Sequence, residues 1–188
     1  MQVLALTLFL ALAGGFTVWE FSRIGVHQGY APAQPIAFPH DVHAGDNSIP
    51  CMYCHYGART SRHAGIPPAS VCMNCHSLLE KQTREIEKLK EAVQQHRPIS
   101  WVKVHNLPDF VYFNHSQHVL SGVRCQECHG PVEHMAVIRQ VAPLTMGWCL
   151  DCHRRQAGVR TATVPRVLAS LAHPATPSAG LDCASCHY

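Results

Sequence analysis

Cys-x-x-Cys-His occurs five times in this chain: CMYCH at Cys51, Cys54 and His55; CMNCH at Cys72, Cys75 and His76; CQECH at Cys125, Cys128 and His129; CLDCH at Cys149, Cys152 and His153; and CASCH at Cys183, Cys186 and His187. All ten cysteines fall inside these copies and none is left over. The pattern is that of covalent c-type haem attachment. Two thiols add to the vinyl groups of one porphyrin, and the adjacent imidazole lies under the ring and binds its iron. Zinc would take paired CxxC knuckles and has no use for a histidine after each one. The repetition therefore predicts five covalently bound haem c groups, and no other feature limits the fold as tightly.

The chain has 188 residues, of which the first two dozen read as a membrane segment. Each haem is left with roughly thirty residues of cover, enough for one shared domain and too few for separate globules. The expected fold is mostly irregular with short α-helices, the haems themselves forming the core. Thirteen prolines and twelve glycines agree with loops wrapped around cofactors. The five tethers do here what staples do for other small domains. The formal net charge of +3 leaves out the propionates that five porphyrins bring. A basic surface for nucleic acid is accordingly excluded from the reading.

Residues Val3 to Trp19 are uncharged and mostly apolar, at the short end for a bilayer span. A secretory signal with a small-residue site at Ala11-Leu12-Ala13 is the competing interpretation. The absence of a basic stretch before the apolar run, and apolar character continuing through Phe16, Val18, Trp19 and Phe21, favour a retained anchor over residues 1–24. Arg23 lies on the side that must be outside, so the positive-inside rule gives no support. Topology follows from haem attachment, which takes place outside the cytoplasmic membrane. The expected location is a single-pass N-terminal anchor in the cytoplasmic membrane with the haem domain on its periplasmic side. A proline-interrupted linker occupies 25–37, and the pentahaem domain 38–188.

Within that domain the chain repeats. Phe38-Pro39-His40-Asp41-Val42-His43 precedes the first haem motif, and Phe113-Asn114-His115-Ser116-Gln117-His118 precedes the third. Each F-x-H-x-x-H is followed by a motif, a loop and a second motif, giving units of about 38–76 and 113–153, with the fifth motif at 183–187 appended. Between the units Ser77-Leu78-Leu79-Glu80 has the form of a capping box. It opens an expected helix that carries Leu79, Ile86, Leu89 and Val93 on one face and stops at Pro98. The stretch Val159 to Gly180 shows little periodicity and reads as loop.

Each motif histidine supplies one axial bond, and the opposite face decides between electron transfer and chemistry on a substrate. His40, His43, His115 and His118 are the expected distal ligands, because two imidazoles three apart share a helical face and reach adjacent haems. The ligand for the remaining haem lies among His63, His105, Met135 and Met146. A thioether there would raise the potential, although a lone methionine more often serves packing. His27, His96, His134 and His173 carry no haem-adjacent pattern.

The order F-x-H-x-x-H, CxxCH, CxxCH is similar to the small cytochrome c3 and c7 families, in which both histidines of that element are distal ligands. A longer likeness runs through TSRHAGIPPASVCMNCH, WVKVHNLPDFVYFNHSQHV, CHGPVEHM and PLTMGWCLDCH. These segments resemble the pentahaem, membrane-anchored cytochrome c subunit of alternative complex III. The resemblance implies an electron-transfer subunit of a quinol-oxidising membrane complex, placed beside an iron–sulfur subunit and polytopic quinol-binding subunits. Electrons would leave to a monohaem cytochrome c, a soluble carrier or a terminal oxidase. It implies the same axial scheme, on the five motif histidines and His40, His43, His115 and His118. No residue is expected to do acid–base or nucleophilic work, so the chain would be an electron carrier with no catalytic site of its own. Two rivals stand beside this reading. One is a quinol-dehydrogenase-type anchor cytochrome feeding a periplasmic reductase. The other is a multihaem nitrite or hydroxylamine reductase with one open haem.

Overall fold

The computed structural model describes residues 2–22, 24–79, 83–163 and 180–187. Seven α-helices follow one another among them: α1 Gln2–Ser22, α2 Cys51–Cys54, α3 Ala69–His76, α4 Arg84–Gln94, α5 His115–Leu120, α6 Gln126–His129 and α7 Met146–Thr163. A π-helical turn at Asp41–Asp46 and 3₁₀ turns at Tyr56–Arg59, Val132–His134 and Cys183–Ser185 complete the set. No strand is present among the described residues, and the β pairing consists of an isolated antiparallel bridge between Val111 and His187. The expectation of short helices joined by irregular chain describes this architecture.

Helix α1 is longer than the seventeen-residue apolar run suggested. Gln2–Phe21 forms a 20-residue span of mean hydropathy 1.8, none of it buried. By length and composition it is able to cross a bilayer, a property that a signal sequence shares.

Every haem motif sits on a helical turn, so that cysteines three apart point the same way and the histidine follows directly. Proline sets two of these turns: Pro50 precedes α2 and Pro68 precedes α3, both in extended conformation. Past the third motif, Gly130 adopts φ 72°, a left-handed conformation that lets the chain leave His129 abruptly.

The two repeats dock reciprocally. The turn Asp41–Asp46 of the first unit packs against Val132–His134, which follows the third haem motif. Helix α5 of the second unit packs against Tyr56–Arg59, which follows the first motif. Asp41 donates its N–H to the Met135 carbonyl at 3.1 Å, and Ser116 donates to the Ser61 carbonyl at 3.2 Å. At the first of these contacts Gly45 lies so close to Glu133 that a Cβ would run into its carbonyl oxygen. Gly45→Ala is expected to cost about 1–3 kcal/mol by forced overpacking, read as a lowered midpoint in denaturant.

The stretch 25–37 lies along the domain. Gly29 donates to the Gln140 carbonyl at 2.7 Å, and Gln140 donates back to Tyr30 at 3.0 Å. Gln34 makes a two-way bond with the backbone of Val102, and Ala37 donates to the Glu85 carboxylate. The buried apolar side chains among the described residues are few: Ala58, Leu89, Ala92, Val104, Met135 and Ala142. Gln140 is the most enclosed polar side chain, and its amide is used at both ends, donating to Ala142 and accepting from Asn106.

Several local expectations need correction. Ser77 does not open the middle helix. Helix α3 runs on through His76 and leaves Ser77 with helical dihedrals, whereas an N-cap needs extended ones. Thr83, at φ −129° and ψ 160°, caps α4 by accepting from the Ile86 N–H. Glu80 lies outside the described residues. Leu89 is buried as expected, but Leu79 precedes the helix and is half exposed. The stop also precedes Pro98. His96 takes φ 50°, and the bonds from His96 to Val93 and from Arg97 to Ala92 form a Schellman closure. At the other end of the domain, α7 continues through Thr163, so residues 159–163 are helical and not loop. A helix nucleated at the fourth motif needs no new nucleus to extend. Residues 164–179, including His173, lie outside the described residues.

Candidate axial-ligand pairs

Among the described residues, three pairs of imidazoles face each other, each joining one motif histidine to one histidine of an F-x-H-x-x-H element. Ring centroids are 6.1 Å apart for His43 and His76, 6.4 Å for His115 and His129, and 6.0 Å for His118 and His153. Metal–imidazole bonds of about 2 Å on opposite sides of one ion would set two ring centroids about 6 Å apart. The donor chemistry and the spacing therefore fit an iron between the members of each pair. His40 lies near His55, whose proximity adds to burial in lowering the His40 pKa. The first unit thus places His40 by motif one and His43 by motif two, and the second places His115 by motif three and His118 by motif four.

The hydrogen bonds of these rings are equally regular. A ligating imidazole presents one nitrogen to the metal, and a partner on the other nitrogen fixes the tautomer. His43 Nδ1 lies 2.8 Å from the Pro39 carbonyl, and His118 Nδ1 lies 2.9 Å from the Asn114 carbonyl. Both reach back four residues along their own turn. His115 Nδ1 lies 2.9 Å from the Arg62 carbonyl. Of the motif histidines, His55 pairs with Gly65, His153 with Gly180 and His187 with Phe110, all through Nδ1 to a carbonyl. Each of these six rings is left with Nε2 to offer. His40 Nδ1 is buried without a partner.

The phenylalanine that opens each element orients both of its histidines. Phe38 meets His40 edge-on at 4.9 Å and stacks on His43 at 4.2 Å. Phe113 meets His115 at 4.8 Å, also edge-on, and lies over His118 at 4.6 Å with a 31° tilt. The sequence signal for this role was the conserved offset of the aromatic within the repeat, F-x-H-x-x-H in both units.

Burial favours the neutral, ligating form. It lowers His40 to about 4, helped by the nearby His55 and His43, and lowers His129 to about 4, helped by His105 and His115. His76, His105 and His118 move the same way, with burial the first cause in each.

The ten thiols are unpaired with one another, and their neighbours order the motifs in space. Burial raises Cys54 and Cys72, and each also feels the other motif's thiols, Cys75 and Cys54 respectively. Burial raises Cys125 too, with Cys51 the next cause. Cys128 is pushed up to about 11 by burial and then by Cys152 and Cys149, while Cys149 is raised by burial and then by Cys186. Direct contacts run along the same path. Asn74 donates to the Tyr53 hydroxyl at 2.9 Å, linking motifs two and one. His115 donates its N–H to Arg62, linking the loop after motif one to the histidine facing motif three. His153 bonds Gly180 at the approach to motif five. The spatial order is two, one, three, four, five.

The four candidates for the remaining ligand are scattered. His63 is exposed, and Met146 is 66% exposed at the start of α7. Met135 is buried under the 132–134 turn, where its carbonyl receives Asp41. His105 faces His129, its Nε2 3.2 Å from His129 Nδ1. Beside His187 lies Phe110, stacked at 5.7 Å. His27 meets Tyr30 edge-on, and His134 ends the 132–134 turn. Sequence reasoning passed over Arg62. Its guanidinium lies 4.3 Å over the Tyr112 ring while Nε is buried without a partner, a cation suited to a porphyrin carboxylate.

Residues 117–188 match the cytochrome c3 family. The chain is also 33% identical over 121 residues to a protein of Nitratidesulfovibrio vulgaris named as the multiheme cytochrome c subunit of menaquinone reductase. That similarity covers 64% of this chain and 55% of the relative, so the chain spans about half the length of the protein it matches. The C-terminal segment is cytochrome c3-like, which implies covalently bound c-type haem and electron transfer.

Proposed function

We propose that this chain is the pentahaem electron-transfer subunit of a membrane complex that reacts with quinone, in the manner of the cytochrome subunit of alternative complex III. The observation that carries the reading is the set of three imidazole pairs, each about 6 Å apart and each joining a CxxCH histidine to a histidine of the repeated element. Bound c-type haem supplies reversible one-electron chemistry. The chain's own contribution is to hold ten thiols as tethers and to aim nine imidazoles at five positions: His55 with His40, His76 with His43, His129 with His115, His153 with His118, and His187. Paired imidazoles close both faces of a metal, so these positions suit electron passage and not substrate binding. Carbonyls on Nδ1 hold the rings still, which keeps rearrangement small on each change of oxidation state. The small number of buried apolar side chains supports porphyrins as part of the core. Helix α1 would anchor the chain, with the haem domain outside the cytoplasmic membrane, next to iron–sulfur and polytopic quinone-binding subunits.

The relative's name favours a second reading, in which electrons run toward menaquinone instead of away from quinol. Purification of the complex from native membranes separates the two. Reduction of a soluble cytochrome by added quinol, with an iron–sulfur and polytopic subunits copurifying, is the result expected. Quinone reduction by a reduced periplasmic carrier, with no quinol oxidation, would favour the second. A rapidly cyanide-binding high-spin haem would revive the reductase alternative.

A further inference from the structure

Among the motif histidines, the Nδ1 atoms of His55, His153 and His187 go to backbone carbonyls. His129 differs, since its Nδ1 meets another side chain, His105 Nε2, at 3.2 Å. The two rings stand edge to face, centroids 4.3 Å apart and planes at 78°. Both side chains are part-buried.

We infer that His105 is a positioning residue for His129, its Nε2 accepting the Nδ1 proton and thereby fixing the tautomer, plane and donor strength of the ring that faces His115. The direction of the bond follows from the proposed ligation, on which this inference rests. With Nε2 of His129 given to iron, a neutral ring carries its proton on Nδ1 and has to donate. His105 then receives on Nε2, keeps its own proton on Nδ1, and has no Nε2 left for a metal. It leaves the set of residues competing to complete the fifth position.

A backbone carbonyl is the same whatever residue carries it, whereas an imidazole acceptor is open to substitution. Motif three occupies the middle of the spatial order, so this contact adjusts the centre of the path. An acceptor on Nδ1 raises the basicity of the ligand and stabilises the ferric state. Removing it should raise the reduction potential of one haem.

The test uses the full-length protein carrying its haems. In His105→Leu the expected result is an unchanged content of thioether-bound haem and no new high-spin signal. One low-spin electron paramagnetic resonance signal should change its g values, and one reduction potential should move upward. His105→Gln, whose amide oxygen accepts the same proton, should restore both. Unchanged g values and potentials in the leucine variant would overturn the assignment, as would a new high-spin haem, which would make His105 an axial ligand. A glutamine variant that behaves like leucine would reduce the contact to packing and overturn it too. If His105→Leu does not accumulate, His105→Phe takes its place. Accumulation of the glutamine variant alone would mark a folding contact and also count against the inference. Failure of the ligation scheme shows up separately, as loss of the low-spin signal assigned to His129 in unaltered protein.

Discussion

His118→Ala is expected to convert one low-spin haem to high-spin, seen as a new axial signal in electron paramagnetic resonance and a loss of one low-spin component. The imidazole of His118 stands 6.0 Å from that of His153, centroid to centroid, and its Nδ1 is tied to the Asn114 carbonyl. Alanine removes the ring and leaves His153 alone on its side. The tether through Cys149 and Cys152 does not depend on His118, so the haem content should stay the same. His43→Ala should do the same to the haem of motif two, because the two positions match in the repeat. An unchanged spectrum in either variant would remove that histidine from the ligand set.

Cys128→Ser should have an effect wider than one cofactor. Cys128 is pushed up to about 11, first by burial and then by Cys152 and Cys149 of the next motif, which lie near it. Its motif also feeds the 132–134 turn on which the first unit's histidine element is docked. Loss of this tether disturbs a junction between the repeats. The expected outcome is a fall in bound haem of more than one group per chain, with much reduced accumulation. A variant that kept four haems, normal spectra and full yield would show that the motifs fold independently. Cys183→Ser is the control. The fifth motif lies at the end of the spatial order, and its loss should be confined to its own haem.

The candidate haem chemistry of the chain is legible in its spacing. Five CxxCH motifs leave the thiols one use, and the doubled F-x-H-x-x-H named four histidines that the structure sets beside motifs one to four. This was readable because covalent attachment and imidazole ligation depend on short offsets, which a one-dimensional pattern records completely. The errors fell where two local signals competed. Ser77-x-x-Glu80 is a good capping box in isolation, but the preceding motif helix already holds Ser77 in helical conformation. Pro98 is a good terminator, but His96 in a left-handed conformation closes α4 first.

Which histidine serves which motif, and which motif adjoins which, depends on contacts between residues far apart in the chain. His43 passes over the first motif to meet His76, and the two repeats exchange their docking turns, bringing motif one against motif three. No offset in the sequence encodes that exchange, since it comes from the packing of Gly45 against Glu133 and the bonding of α5 to Ser61 and Arg62. His105 makes the same point. Its sequence context suited a ligand as well as a supporting residue, and only the fold brings it to 3.2 Å from His129. The sequence by itself determined which groups are candidates for haem, because that is a property of residue type and local spacing. The tertiary structure alone decided how those groups are paired and ordered, because pairing requires two distant stretches to share one side of a packed turn.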